Sequence, residues 1–197
     1  MDGRAIWHVH LLEAFPGADE VLSGLSEITL TRRARVSITS KQVENIAYTA
    51  LWERAQRASA SNRYCEIRCK TPCTQKSLGA YLMFPSLPLL FRTLHMRATD
   101  LFAGQYTESE ESSMALGEAV RIKRYALASA PIFIKEVPIV GFTGSLQLIL
   151  PDAVEQRRHT HVLLALAPFT GLGAKTALGM GGVEVSLESG ESAFVHR

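Results

Sequence analysis

Five glycines, one lysine and one threonine fall within the twelve residues Gly171-Leu-Gly-Ala-Lys-Thr-Ala-Leu-Gly-Met-Gly-Gly182. Glycine tolerates positive φ and lets a polyanion approach main-chain N–H groups closely, and Lys175 and Thr176 add a charge and a hydroxyl. Gly171, Gly173, Lys175, Thr176, Gly179, Gly181 and Gly182 therefore form a candidate phosphate-backbone cradle. A flexible connection beside a structural hairpin is the competing account. For acid–base chemistry the chain offers His8 and His10, interleaved with Trp7, Val9 and Leu11. On a strand both imidazoles project to one face, where two groups titrating near neutrality can act as base and acid. The solvent face of any half-buried strand would carry polar residues too.

The flanks of the glycine stretch decide what kind of cradle it is. Pro151 and Asp152 make a helix start, and Val154, Leu163, Leu166 and Ala167 give an apolar face up to Phe169. Val183 to Leu187 alternates like a strand. The order is helix, loop, strand. Dinucleotide sites and P-loops need strand, loop, helix, because the phosphate rests on the helix N-terminus. With no GxxxxGK[ST] in the chain, a nucleotide cofactor is disfavoured and none is expected. Cys65, Cys69 and Cys73 have C-x3-C-x3-C spacing, which matches no common zinc pattern, so buried reduced thiols are expected and no metal.

Around these residues the elements read as follows. Ala5 to Leu12 suits a strand, Asp19 to Leu25 a short helix, and Glu27 to Thr39 a bent or hairpin-like β segment with Arg32, Arg33 and Arg35 at its centre. The small polar stretch Ala58 to Asn62 reads as a linker, which predicts domains at 1–62 and 63–197. The second unit opens with the strand Tyr64 to Cys69. Ser86 as N-cap and Pro88 in the first turn begin an amphipathic helix through Leu87, Leu90, Phe91, Leu94, Ala98, Leu101 and Phe102. Gln105 to Gly117, polar and acidic, reads as a loop. Strands follow at Ala119–Leu127, Ile132–Val137 and Gly144–Leu150, the last after a Gly141-Phe-Thr-Gly144 turn. With the last helix and strand this gives β-α-β-β-α-β with one extra strand at most, an α+β, ferredoxin-like (RRM-like) arrangement.

At 197 residues, with 47% hydrophobic and 20% charged content, the chain can bury a real core. Its net charge of +2 does not diagnose nucleic-acid binding. Basic residues nevertheless cluster, at Arg32, Arg33 and Arg35, at Arg63, Arg68 and Lys70, at Arg121, Lys123 and Arg124, and at Arg157 and Arg158. No apolar run reaches membrane-spanning length and no signal-peptide pattern opens the chain, so a cytoplasmic protein without membrane partners is expected.

Thr71-Pro72, Phe84-Pro85 ahead of LLFRTLHMR (Leu89 to Arg97), GFTG (Gly141 to Gly144) and LLALAPFTGLGAKTALGMGG (Leu163 to Gly182) occur in that order. Together they resemble the C-terminal domain of CRISPR-associated repeat-RNA processing endoribonucleases of the RAMP superfamily, the CRISPR-associated protein six family. The resemblance spans about 63–188. It implies two ferredoxin-like domains, a glycine-rich loop on CRISPR repeat RNA, and metal-independent cleavage by attack of the ribose 2′-OH on the adjacent phosphate. It also implies that the protein stays on the 3′ handle with other CRISPR effector subunits. Arg32, Arg33, Arg35, Arg157 and Arg158 become candidate RNA contacts. Arg97, at the family's helix arginine, would contact RNA or stabilise a domain interface.

Family members place the catalytic histidine in or just after the first N-terminal helix. Threading here puts Ile6 to Leu12 on the third strand, Asp19 to Leu25 on the second helix and Ile28 to Ile38 on the last strand of a partial ferredoxin-like N-terminal domain. That leaves His8 and His10 as the candidate catalytic pair. His159 and His161 are i, i+2 on a helix, share no face, and read as RNA contacts or surface residues; His95 reads as packed on the sheet and His196 as tail. Two alternatives stay open: a catalytically inactive repeat-RNA-binding subunit, and a ferredoxin-like interaction domain unrelated to RNA.

Overall fold

The computed structural model describes residues 8–12, 16–31, 34–43, 47–59, 62–102, 106–134 and 136–187. These fall into two compact units, Met1–Ala47 and Tyr48–Arg197.

In the first unit helix α1 (Ala18–Gly24) follows Gly17 and carries Asp19 and Glu20 in its first turn, where acids complement the helix dipole. Strands β1 (Glu27–Thr31) and β2 (Ala34–Ser37) pair antiparallel, with Ile28 opposite Val36. The expected hairpin is thus present. The expected strand at Ala5–Leu12 is corrected where it can be seen: residues 8–12 have no regular structure. A strand needs a ladder neighbour, and β1 and β2 pair only with each other among the described residues. Arg32 and Arg33 lie outside the described residues, as does His196.

The second unit starts earlier than the expected boundary at 62/63, with helix α2 (Tyr48–Ser59), for which the sequence reading had no element. Strand β3 (Tyr64–Cys73) buries Cys65, Ile67 and Cys69 and turns Tyr64, Arg68 and Lys70 outward, the alternation of a strand covered on one face. A short hairpin, β4 (Gln75–Ser77) and β5 (Ala80–Leu82), leads to helix α3 (Leu87–Leu101). Leu90, Phe91, Leu94 and Ala98 are 0% exposed, and each large side chain so buried stabilises the fold by about 1.5–3 kcal/mol.

Helix α4 (Glu110–Ala119) stands where a loop was expected. Ser109 Oγ accepts from the Ser112 N–H, and Glu110 and Glu111 occupy the first turn, so the acids that suggested a loop are helix-start residues. Strands β6 (Arg121–Ile134) and β7 (Val137–Ile149) form one long hairpin in place of three shorter strands. The Gly141–Gly144 turn is also corrected. Gly144 sits inside β7 at φ +110, between Cys69 and Leu127, where a Cβ would lie 2.0 Å from the Ala126 carbonyl oxygen.

Helix α5 (Val154–Thr170) and β8 (Val183–Ser186) close the unit. Four strands pair antiparallel in the order β6-β7-β3-β8: β6 and β7 are consecutive, whereas β3 lies beside β7 and β8, neither of which follows it directly in sequence, and this is the ferredoxin-like topology. Helix α5 packs on α2, α3 and β8, and is buried continuously from His159 to Ala167. No described helix is long and apolar enough to cross a membrane.

Candidate nucleic-acid interface

The glycine stretch runs from the C-terminus of α5 to β8 and contains one turn of 3-10 helix at Thr176–Leu178. It rests on an irregularity of β3. Between the pairs Cys69–Gly144 and Cys73–Phe142, β3 inserts Lys70, Thr71 and Pro72 opposite Thr143 alone. The bulge turns these residues onto the loop. Gly182 O accepts from Lys70 N (2.8 Å) and Thr71 N (3.2 Å), Gly181 N donates to Pro72 O (2.9 Å), and Gly182 N donates to Thr71 Oγ1 (2.8 Å). Gly173 bridges Thr74, with Ala174 N donating to Thr74 O at 2.7 Å.

Main-chain donors that were expected to be bare are therefore mostly occupied. Leu172 N donates to Gly181 O and Gly171 N to Ala167 O, while Leu178, Gly179 and Met180 bond back to Lys175 O or Thr176 O. Among the described residues, the N–H groups of Gly173, Lys175, Thr176 and Ala177 have no such partner. Gly173 itself is buried. The cradle contracts to the apex, where Lys175 adopts the left-handed conformation at φ 62, ψ 27 and is exposed together with Ala177, Leu178 and Gly179.

Gly173 and Gly181, offered by the sequence as contacts to RNA, are packing glycines. A Cβ on Gly173 would lie 2.1 Å from Thr74 O, and one on Gly181 2.3 Å from Leu172 O, at φ +83 and +73. Gly171 and Gly182 are half-buried.

Arg97, on α3, supplies what the sequence could not show. Its Nη1 donates to Gly171 O at 2.5 Å, and Nη2 donates to Gly173 O at 2.7 Å and approaches Thr176 Oγ1 at 3.3 Å. Gly171 caps α5, so the guanidinium also sits at the negative end of that helix. Burial lowers the Arg97 pKa, from so high a starting point that the group stays charged.

The other candidates do not join this cluster. Arg157 donates to the carbonyls of Pro151 and Asp152, and Arg158 to both oxygens of Glu155, so both brace the start of α5. At about 1.5 Å per residue the glycine loop is roughly 20 Å away at the other end of the helix. Arg35 is exposed and 3.3 Å from Glu27 across the first unit's hairpin. Arg68 and Lys70 pair with Glu66 (3.4 Å) and Glu184 (2.9 Å), and Arg63 with Asp152. Arg121, Lys123 and Arg124 are exposed on β6, with Lys123 4.2 Å from the Tyr64 ring centre.

His8 and His10 lie with ring centres 6.4 Å apart and ring planes within 8°. Partial burial first, then repulsion from His8, holds His10 below the usual histidine range. His159 and His161, read from sequence as RNA contacts or surface residues, are 8% and 0% exposed. Beyond its exposed first turn α5 is packed against α2, α3 and β8, and both histidines are buried there. His95 is also buried, with its Nδ1 facing Tyr106 and Ser113 of the α4 region rather than a strand. The three cysteines are free and buried, as expected. Among the described residues no group of His, Cys, Asp or Glu is arranged to hold a metal ion.

The family model described as CRISPR-associated endoribonuclease Cas6 matches residues 67–183. A Streptococcus thermophilus protein named CRISPR-associated endoribonuclease Cas6 is 29% identical over 182 residues, covering 91% of this chain and 74% of that protein. A Mycobacterium tuberculosis protein of the same name is 27% identical over 152 residues, or 75% of this chain and 46% of its own length. Among solved structures, the Cas6 (TTHA0078) product complex superposes with a TM-score of 0.70 at 21% identity, over 86% of this chain and 70% of that one. At that identity it speaks for the fold.

Proposed function

The chain belongs to the CRISPR-associated endoribonuclease Cas6 family, and from that we propose that it binds CRISPR repeat RNA through the glycine-loop apex and cleaves it without a metal. One observation carries the binding half: most of the loop's N–H donors are taken up by the loop itself, α5 and the β3–β4 segment, yet Lys175, in a strained left-handed conformation, is exposed beside the unbonded amides of Thr176 and Ala177. A cation next to outward N–H groups is chemistry for a phosphate oxygen. Backbone contacts of this kind position an RNA and give salt-sensitive affinity. Arg35, exposed on the first unit, serves as a further phosphate contact.

For the chemical step the 2′-oxygen must lose a proton, attack the adjacent phosphorus and displace the 5′-oxygen, which gains a proton. The products are a 2′,3′-cyclic phosphate and a 5′-OH. His10, whose lowered pKa leaves it neutral at pH 7, takes the 2′-OH proton. His8, its ring centre 6.4 Å from that of His10, is the donor that returns a proton to the leaving 5′-oxygen. The released 3′ handle stays on the protein, which carries it to other effector subunits.

His10→Ala and Lys175→Ala test the two halves. His10→Ala should slow cleavage by at least about 100-fold with repeat affinity unchanged. Lys175→Ala should weaken affinity in the folded protein. Full-rate cleavage by His8→Ala/His10→Ala would remove the histidines from the mechanism.

A further inference from the structure

We propose that Arg97 is the positioning residue of the glycine loop: from α3 it sets which way the loop's peptide planes face, and so holds Lys175 and the neighbouring amides toward an RNA phosphate. The inference rests on the RNA-binding reading of the loop.

In a planar trans peptide the carbonyl of one residue and the N–H of the next point in opposite directions. By holding Gly171 O, Arg97 commits the Leu172 N–H to the far side, where it meets Gly181 O at 2.8 Å. By holding Gly173 O, it commits the Ala174 N–H to Thr74 O at 2.7 Å. Two alternate peptides of the loop are thus pinned at both ends, one end by Arg97 and the other by the loop or the β3–β4 junction.

Lys175 follows directly. A lysine at φ 62 persists only where its surroundings over-determine it. Arg97 brackets it, on one side through Gly173 O and on the other through Thr176 Oγ1. The Lys175 carbonyl then accepts from Leu178 N (3.0 Å) and Met180 N (3.4 Å), which sends the Thr176 N–H the opposite way. With its guanidinium occupied by loop acceptors and its side chain half-buried, Arg97 acts on RNA through Lys175 rather than by touching it. Only a planar fork can reach the two carbonyls at once; a lysine there offers a single point.

The test is a double-mutant cycle on affinity for labelled repeat RNA, using the intact chain, Arg97→Ala, Lys175→Ala and the double variant, with thermal unfolding recorded for each. Each single change should weaken binding roughly tenfold, and the double variant no more than either alone. Arg97→Ala should also lower the salt dependence of binding as Lys175→Ala does, which a general loss of stability would not. Arg97→Lys, the variant to use if Arg97→Ala fails to fold, should lie between and show the same non-additivity. Additive losses would mean that Arg97 meets RNA itself or acts elsewhere, and overturn the proposal. So would an Arg97 variant that binds normally while Lys175→Ala does not, an outcome that leaves the RNA reading intact. If Lys175→Ala binds as well as the parent, the RNA reading falls first and the inference with it.

Discussion

Tyr106 Oη lies 2.5 Å from His159 Nε2 in the buried contact between α5 and the segment leading into α4. The same hydroxyl is 3.2 Å from His95 Nδ1 and 3.4 Å from Ser113 Oγ, and Ser113 Oγ is 2.9 Å from His95 Nδ1. Glu108, 3.9 Å from His159 Nδ1, favours a proton on that nitrogen and leaves Nε2 to accept from the tyrosine. The network ties α3, α4 and α5 together, with His95, Tyr106, Ser113 and His159 all buried and Glu108 at its exposed edge.

Stability should fall as pH drops below about 6.5, the unperturbed histidine value. Burial holds His95, His159 and His161 below it; Glu108 and Glu110 oppose the shift at His95, Glu108 at His159 and the Asn62 carbonyl at His161, while Arg157 adds to it there. A lowered folded-state pKa means that the unfolded chain binds more protons in that window, so the stability present above it is lost on acidification. Urea unfolding at pH 7.5 and 5.5 should show a lower midpoint at pH 5.5. Tyr106→Phe should destabilise by about 1–3 kcal/mol at pH 7.5 by leaving buried partners unsatisfied.

Among the loop glycines, alanine should be far worse at Gly173 and Gly181 than at Gly179. All three have positive φ, at a strain cost of about 1–2 kcal/mol. Only the first two would also drive a Cβ into a carbonyl oxygen, whereas Gly179 has nothing within 4 Å. Thermal unfolding of the three variants checks the order, and equal losses would show that backbone strain alone matters.

Lys175→Ala should reduce the slope of log affinity against log salt by about one, the signature of one lost phosphate contact. Arg158→Ala, which removes the Glu155 pair at the start of α5, should leave that slope unchanged. Titrations at several salt concentrations measure both.

The ferredoxin-like order was legible from strand alternation in Tyr64–Cys69 and helix periodicity from Leu87 to Phe102, because those elements each bury one face. Helix α4 was hidden by its acids, although Ser109 followed by Glu110 and Glu111 is itself a start signal. Helix α2 had a readable signature in Leu51 and Ala55, both buried and one turn apart. The burial of both His159 and His161 could not be read, since it depends on residues far along the chain, Tyr106 against His159 and Asn62 against His161. Nor could sequence say where the loop's amides point. That answer lies in Arg97 and the β3 bulge, which are distant along the chain from the glycines they serve.

Incubating the purified chain with end-labelled cognate repeat RNA in EDTA tests the central claim most directly. The account predicts a single cut leaving a 2′,3′-cyclic phosphate on the upstream fragment and a 5′-OH on the other, while a scrambled RNA stays whole. Cognate RNA that remains intact, or that binds no more tightly than the scrambled control, would contradict it.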